Sequence, residues 1–317
     1  MSSAGSSAPI KVQFLLIDSG SEGQRLDNFL LKQLKGVPKS KIYRIIRKGE
    51  VRVNKGRCKP ETKLKVGDQV RVPPVRMEEG DAAVVPQPVI ERINNSVIYE
   101  DEGLLVINKP AGVAVHGGSG LSFGVIEALR AARPEQRFIE LVHRLDRDTS
   151  GVLMLAKKRK VLVELHQMLQ SGRVSKIYQA WVVGKWPRKK MQITAPLMKN
   201  SLKSGERMVV VSQDGKASET RFDVIYASAE HTLVEAQPVT GRTHQIRVHA
   251  QFAGHPIIGD EKYCPDEDNR RYRDMGIKRM CLHARALELR WADRPMQRIE
   301  APWEMEFSPV LRLQENS

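Results

Sequence analysis

The stretch His143-Arg144-Leu145-Asp146-Arg147-Asp148-Thr149-Ser150-Gly151 runs directly into Val152-Leu153-Met154-Leu155-Ala156. The second part is a short uninterrupted apolar run, the pattern of a buried strand. The first part places one histidine, two arginines and two aspartates within six residues. Charged side chains are almost never fully buried unless paired, so charge this dense beside a buried strand is not there for packing. The expectation is a strand leading out of a cleft, with the charged run as its floor.

Outward from that strand, further strand patterns fall at 97–99, 104–107, 178–184, 221–226, 231–236 and 285–291, and helix patterns at 124–132, 160–171 and 243–253. Strands outnumber helices and do not alternate with them regularly. That predicts an α+β fold with a largely antiparallel sheet rather than a doubly wound parallel one. No repeat of 20–50 residues is present.

The net charge of +15 is unevenly spread. Residues 22–76 hold 16 Lys and Arg against 5 Asp and Glu, whereas residues 1–21 are neutral. A basic excess confined to one small segment is the footprint of a nucleic-acid-binding module. A polybasic membrane binder would show an amphipathic helix with exposed aromatics or a lipidation motif, and neither is seen. Within the segment, Ser21 and Gln24 give a capping signal. A helix with Leu26, Phe29, Leu30 and Leu34 on one face follows, ended by Gly36. Pro38 and Ser40 open a second helix carrying Ile42, Ile45 and Ile46, closed by Gly49. Short strands at 51–54 and 69–72 complete a module near the lower size limit for independent folding. The expected organisation is a tail over 1–21, the module over 22–76, a linker over 77–96, a large domain over 97–311 and a tail over 312–317. Three widely spaced cysteines, Cys58, Cys264 and Cys281, imply no disulfide framework. No secretory signal and no apolar run of membrane-spanning length is visible. A cytoplasmic protein is expected.

In the basic module, Lys39, Lys41, Arg44, Arg47 and Lys48 run through the second helix, and Arg52, Lys55, Arg57 and Lys59 follow. Neutralising phosphates needs such a cluster. A solvated basic face is the plainer reading, and the concentration of charge favours nucleic acid. In the charged run, His143, Asp146 and Ser150 invite a hydrolase reading, but no G-x-S-x-G elbow is present; an ion-pair network at a strand start is the alternative. Other dense runs shift the balance toward a site: Asn108-Lys109-Pro110-Ala111-Gly112, Lys176-Ile177-Tyr178, and Thr240-Gly241-Arg242-Thr243-His244-Gln245-Ile246-Arg247-Val248-His249. His244, His249, Cys264, Cys281 and His283 are too loosely spaced for zinc, so no metal is expected. Gly117-Gly118-Ser119-Gly120 lacks the ending of a phosphate loop and reads as a loop touching RNA backbone. Arg270-Arg271-Tyr272-Arg273 suits an RNA rim or a solvated loop equally.

The module resembles the S-four-like RNA-binding domain through Arg25-Leu26-Asp27-Asn28-Phe29-Leu30, Ile46-Arg47-Lys48-Gly49, Val51-Arg52-Val53-Asn54 and Gly67-Asp68-Gln69-Val70. That implies structured RNA as its ligand, with Lys41, Arg44, Arg47, Lys48 and Arg52 as contacts. Residues 97 to about 305 resemble the RluA family of pseudouridine synthases, through H-R-L-D-R-D-T-S-G, N-K-P-A-G and G-R-T-H-Q-I-R-V-H. Residues 115–130 are most similar to the branch that modifies bacterial large-subunit ribosomal RNA. The resemblance implies a pseudouridine synthase catalytic domain with a largely antiparallel mixed sheet. It implies Asp146 as the catalytic carboxylate, Arg247 as its partner, Tyr178 stacking on the base and helping remove the carbon-5 proton, Ile246 packing behind the ring, and Arg144 and Lys176 facing RNA. Asp148, Thr149 and Ser150 are then structural. Turning uridine into pseudouridine breaks a C–N bond and forms a C–C bond without redox change, so no cofactor is expected. The partner expected is large-subunit ribosomal RNA, with no DNA and no membrane, acted on by a monomer.

Two other readings share parts of this pattern. A catalytically silent RNA-binding protein needs the basic module but no convergence of Asp146, Tyr178 and Arg247. A glycosidase or base-excision enzyme uses a carboxylate to release the base, usually with a second catalytic carboxylate.

Overall fold

The computed structural model describes residues 11–34, 37, 39–75, 85–117, 122–187, 189–201 and 207–303. The expectations for Gly36, Pro38, Gly118–Gly120 and 312–317 lie outside the described residues. The chain divides into two compact units, Met1–Val84 and Val85–Ser317.

The smaller unit contains β1 (Gln13–Leu16), α1 (Leu26–Gln33), α2 (Lys39–Arg47), β2 (Arg52–Val53), β3 (Gly56–Arg57) and β4 (Gln69–Val72). Its sheet runs β1-β4-β2-β3, antiparallel throughout. The expected tail over 1–21 is therefore corrected. Residues 13–16 pair with 69–72, and Ile17 is 1% exposed in the core. The helix faces read from spacing are buried: Leu26, Phe29, Leu30 and Leu34 pack with Ile42, Ile45 and Ile46. The capping signal at Ser21 does not start the helix. Arg25 holds the cap position, and the first N–H groups are taken by Thr62 O (2.8 Å) and Pro60 O (3.0 Å) from a neighbouring loop. Gly49 ends α2 at φ 71°, a left-handed conformation that glycine adopts freely.

The larger unit contains α3 (Gln87–Asn94), β5 (Val97–Glu100), β6 (Leu104–Lys109), α4 (Val125–Ala132), β7 (Glu140–Leu141), β8 (Ser150–Ala156), α5 (Arg159–Gln170), β9 (Val174–Val183), β10 (Lys190–Thr194), β11 (Leu197–Ser201), β12 (Arg207–Val211), β13 (Glu219–Ala227), β14 (His231–Pro238), α6 (Gln245–Phe252), α7 (Asp266–Asp274), β15 (Leu282–Leu289) and β16 (Gln297–Glu300). The expected linker is corrected in its second half: residues 87–94 form α3, whose Ile93 is fully buried beside α4. The main sheet runs β10-β13-β14-β9-β15-β8-β6-β5, with β16 on β15 and β7 on β8. Every pairing in it is antiparallel except β8 with β15. The architecture is thus α+β with a largely antiparallel mixed sheet.

β8 explains its own uninterrupted apolar sequence. Val152, Met154 and Ala156 face a core shared with α5, while Leu153 and Leu155 face the opposite core shared with α4. A strand covered on both faces has no polar alternation to show. Gly151 stands at the parallel seam with φ 107°, and a Cβ there would lie 2.2 Å from Ala284 O. Only glycine lets the two backbones approach this closely.

Candidate active site

The charged run sits where the sheet changes direction. Thr149 N–H closes a turn on Asp146 O at 3.2 Å. This turn lifts Asp146 off the start of β8. Lys109, fully buried at the end of β6, anchors the turn from beneath. Its Nζ donates to the carbonyls of Pro110 (2.8 Å), Val113 (2.8 Å) and Arg147 (2.9 Å). Spending a buried ammonium on backbone acceptors satisfies its charge through hydrogen bonds. His143 accepts the Met154 N–H at Nε2 (3.1 Å), and burial pushes its pKa down to about 4, so the ring is neutral.

Three elements bring the remaining groups to Asp146. β9 carries Lys176 and Tyr178 on alternate positions of one face. The start of α6 carries His244, Ile246 and Arg247. Together with the charged run they line a cavity of about 630 Å³ whose walls include Arg144, Asp146, Lys176, Tyr178, Ile246 and Arg247. All six large-domain residues implied by the motifs are thus in one cavity, and Asp146, Tyr178 and Arg247 converge from positions 32 and 69 residues apart in the chain.

Arg247 is 6% exposed and holds Asp260 in a bidentate pair, Nε to Oδ2 at 2.6 Å and Nη2 to Oδ1 at 2.7 Å. Its Nη1 reaches Asp146 Oδ2 at 3.3 Å. Burial works against the charge of Arg247, but the Asp260 bonds outweigh it and hold the pKa above the ordinary arginine value. Asp260 is 1% exposed and also accepts the backbone N–H of Lys262. The sequence reading missed Asp260. Its only signal is Gly259-Asp260 after the apolar Ile257-Ile258, which reads as an ordinary turn. Burial, and next the charge of Asp146, push the Tyr178 phenol well above its usual pKa, so it stays protonated. Burial pushes the Lys176 ammonium down.

Ser150 and Asp148 of the run are bonded within the protein. Ser150 Oγ lies 2.8 Å from His283 Nδ1 and accepts from Arg279 at 2.7 Å, beneath the parallel seam. Asp148 pairs with Arg147 at the surface, at 3.1 Å. His249 is bonded to Thr220 and Ala195, and His244 to Tyr263. Arg270–Arg273 form part of helix α7, not a loop, and Tyr272 is core, donating to Glu230 O at 2.8 Å. A second depression of about 410 Å³ adjoins the first across Gly241–Thr243, bordered by Lys199, Lys216 and Arg242.

In the smaller unit, α2 turns Ile42, Ile45 and Ile46 inward and leaves Arg44, Arg47 and Lys48 exposed, with Lys41 and Arg52 half-buried. Asp27 fixes the helix pair. It is 2% exposed and accepts from Arg25 (2.8 Å) and from the Tyr43 hydroxyl (3.0 Å).

Residues 103–252 match the family described as RNA pseudouridylate synthase, and residues 24–70 match the S4 domain. The matched catalytic segment contains Asp146, Tyr178 and Arg247. "Ribosomal large subunit pseudouridine synthase C" of Escherichia coli strain K12 is 56% identical over 92% of this chain and 93% of its own length. The protein of the same description from Salmonella typhimurium is 54% identical over 96% of this chain and 98% of its own. The chain is a member of the RNA pseudouridylate synthase family. The synthase shares its fold with solved human structures. Human RNA Pseudouridylate Synthase Domain Containing 4 superposes with a TM-score of 0.60 at 24% identity, over 71% of this chain and 95% of that one. Human RNA Pseudouridylate Synthase Domain Containing 1 gives 0.56 at 26%, over 74% and 89%. The two-domain division expected from charge thus corresponds to an S4 domain followed by the catalytic unit of the synthase.

Proposed function

We propose that this synthase converts specific uridines of large-subunit ribosomal RNA to pseudouridine, in the cytoplasm and as a monomer, with Asp146 as the reactive group. The observation that carries this is the meeting of Asp146, Arg247 and Tyr178 in one cavity of a family member whose relatives act on the large subunit. The C1′–N1 bond breaks, C1′ joins C5, the C5 proton leaves and N1 gains one. The glycosidic bond is inaccessible in a stacked helix, so the nucleotide must be extruded into the cavity. Arg247, itself fixed by Asp260, pairs with the half-buried carboxylate and aims it. Tyr178 stacks on the base. Its protonated state favours that role over attack on the C5 proton as a phenolate. Ile246, 6% exposed, backs the ring. Arg144 is exposed at the rim and Lys176 lies deeper; both face RNA, and the Lys199–Lys216–Arg242 depression suits the flanking backbone. Lys41, Arg44, Arg47, Lys48 and Arg52 of the S4 domain bind phosphates elsewhere on the same RNA.

Asp146→Asn should abolish isomerisation while RNA affinity stays within about threefold, since one neutralised carboxylate removes no cationic contact. Arg247→Ala should lower the rate by about 100-fold or more, as loss of a preorganised charge partner does. Pseudouridine mapping of the RNA and its intact mass are the readouts. A shortened mass would mean base release instead, and a fully active Asp146→Asn would remove Asp146 from the chemistry.

A further inference from the structure

We propose that His244 is a positioning residue for the reactive carboxylate: its Nε2–H joins Arg247 on Oδ2 of Asp146 and leaves Oδ1 for the substrate. This rests on Asp146 being the reactive group.

The argument starts at Tyr263, which is 2% exposed. Its hydroxyl accepts the Val209 N–H at 3.0 Å and lies 2.8 Å from His244 Nδ1. If Nδ1 carried the ring proton, the phenol oxygen would accept twice and its own proton would be buried without an acceptor. Buried polar groups are nearly always satisfied, so the phenol donates to Nδ1 and the proton of the neutral ring sits on Nε2. Nε2 is 3.8 Å from Asp146 Oδ2, the same oxygen that Arg247 Nη1 approaches at 3.3 Å. Oδ1 has no protein partner among the described residues. A gap of 3.8 Å is too long for a hydrogen bond, and such contacts often close only when substrate fills the site. Burial lowers the His244 pKa, with Asp146 opposing and Arg247 adding to it, so the ring is neutral near pH 7.

The backbone supplies a second observation. His244 has φ 54° and ψ 19°, left-handed, at the N-cap of α6 without making a side-chain cap bond. Few non-glycine residues adopt this conformation; asparagine and histidine are among those that do. A side chain that does not cap its helix, yet is locked at Nδ1 and aimed at Asp146 by Nε2, is placed for its far nitrogen. Arg247 cannot do the work alone, because its Nε and Nη2 are committed to Asp260.

Asparagine keeps the left-handed backbone and offers an acceptor where Nδ1 stands, but has no donor at the Nε2 position. Glutamine places an amide donor there. The single-turnover rate and RNA dissociation constant of the full chain are measured for wild type, Asp146→Asn, His244→Asn, His244→Gln and Tyr263→Phe. His244→Asn should slow the rate by about 100-fold, the low end for losing a preorganised donor, with RNA affinity unchanged. His244→Gln should recover most of that loss. Tyr263→Phe frees the tautomer and should also slow the rate, but have no further effect when combined with His244→Asn. Wild-type rates in His244→Asn, or equal slowing by Asn and Gln, overturn the proposal. If His244→Asn does not fold, Tyr263→Phe decides: an unchanged rate overturns it. An active Asp146→Asn overturns the underlying reading instead, whatever His244 does.

Discussion

His143 and His283 sit on either side of the turn that carries Asp146, and both are held neutral. Burial pushes each to a pKa of about 4, and each ring is bonded inside the protein, His143 to Met154 N–H and His283 to Ser150 Oγ. In the unfolded chain a histidine titrates near 6.5. Between pH 6.5 and about 4 the unfolded state therefore binds protons that the folded state refuses. Stability should fall as pH falls through that window, and this source of loss should level off below it. Each unit of pKa difference is worth about 1.4 kcal/mol. Urea unfolding at pH 7, 5.5 and 4.5 checks the expectation. The midpoint should drop steadily, and His143→Asn should flatten part of the slope. A midpoint independent of pH above 4.5 would mean these rings are not buried neutral.

At the scale of the element, the buried strand was the legible part. Apolar runs without a break marked β6 and β8, and strand patterns over 221–226 and 231–236 marked β13 and β14. Other strands gave no such signal. β10 (Lys-Met-Gln-Ile-Thr) buries only Ile193, and β16 (Gln-Arg-Ile-Glu) buries only Ile299. An edge strand that buries one residue has almost no pattern to read. β11 and β12 form a separate pair whose apolar residues meet α6 and Tyr263, a contact set by tertiary packing alone. α7 looked like a loop because it is nearly all charged and buries only Asn269 and Tyr272. The site shows the same division. Asp146, Tyr178 and Arg247 were reachable through motifs, whereas Asp260 was hidden because its role exists only once Arg247 is brought beside it. The direction of the seam was equally hidden, and Gly151 is what permits it. Gly151→Ala would force a Cβ to 2.2 Å from Ala284 O at φ 107°. Neither backbone can yield without parting β8 from β15. The substitution should destabilise the unit by roughly 3 kcal/mol, in the range of strained and overpacked positions, and lower turnover because Asp146 rides on the start of β8. Urea unfolding and the single-turnover rate test this together; a change under about 0.5 kcal/mol, the size of a surface substitution, would show that the seam tolerates a side chain.

At the scale of the whole chain, charge and chemistry are divided between two units. Residues 22–76 carry +11 of the net +15, while the cavity and every group proposed to act on the nucleoside belong to Val85–Ser317. The larger unit has its own two-sided sheet and cores on both faces, so it should fold when expressed alone. If the S4 domain contributes chiefly phosphate contacts, its removal should change affinity and salt dependence far more than chemistry. Five cations, Lys41, Arg44, Arg47, Lys48 and Arg52, at about 0.7 to 0.9 per phosphate between single-stranded and duplex nucleic acid, predict that the slope of log affinity against log salt becomes shallower by about 3.5 to 4.5. Residues 85–317 should therefore bind weakly at ordinary salt yet isomerise a saturating RNA at close to the full single-turnover rate. The measurement is a salt titration of binding alongside that rate, for the full chain and for 85–317. An unchanged slope would remove the exposed face of α2 from the RNA. A collapsed rate at saturation, with the unit folded, would mean that the S4 domain takes part in presenting the nucleotide rather than only in holding the RNA.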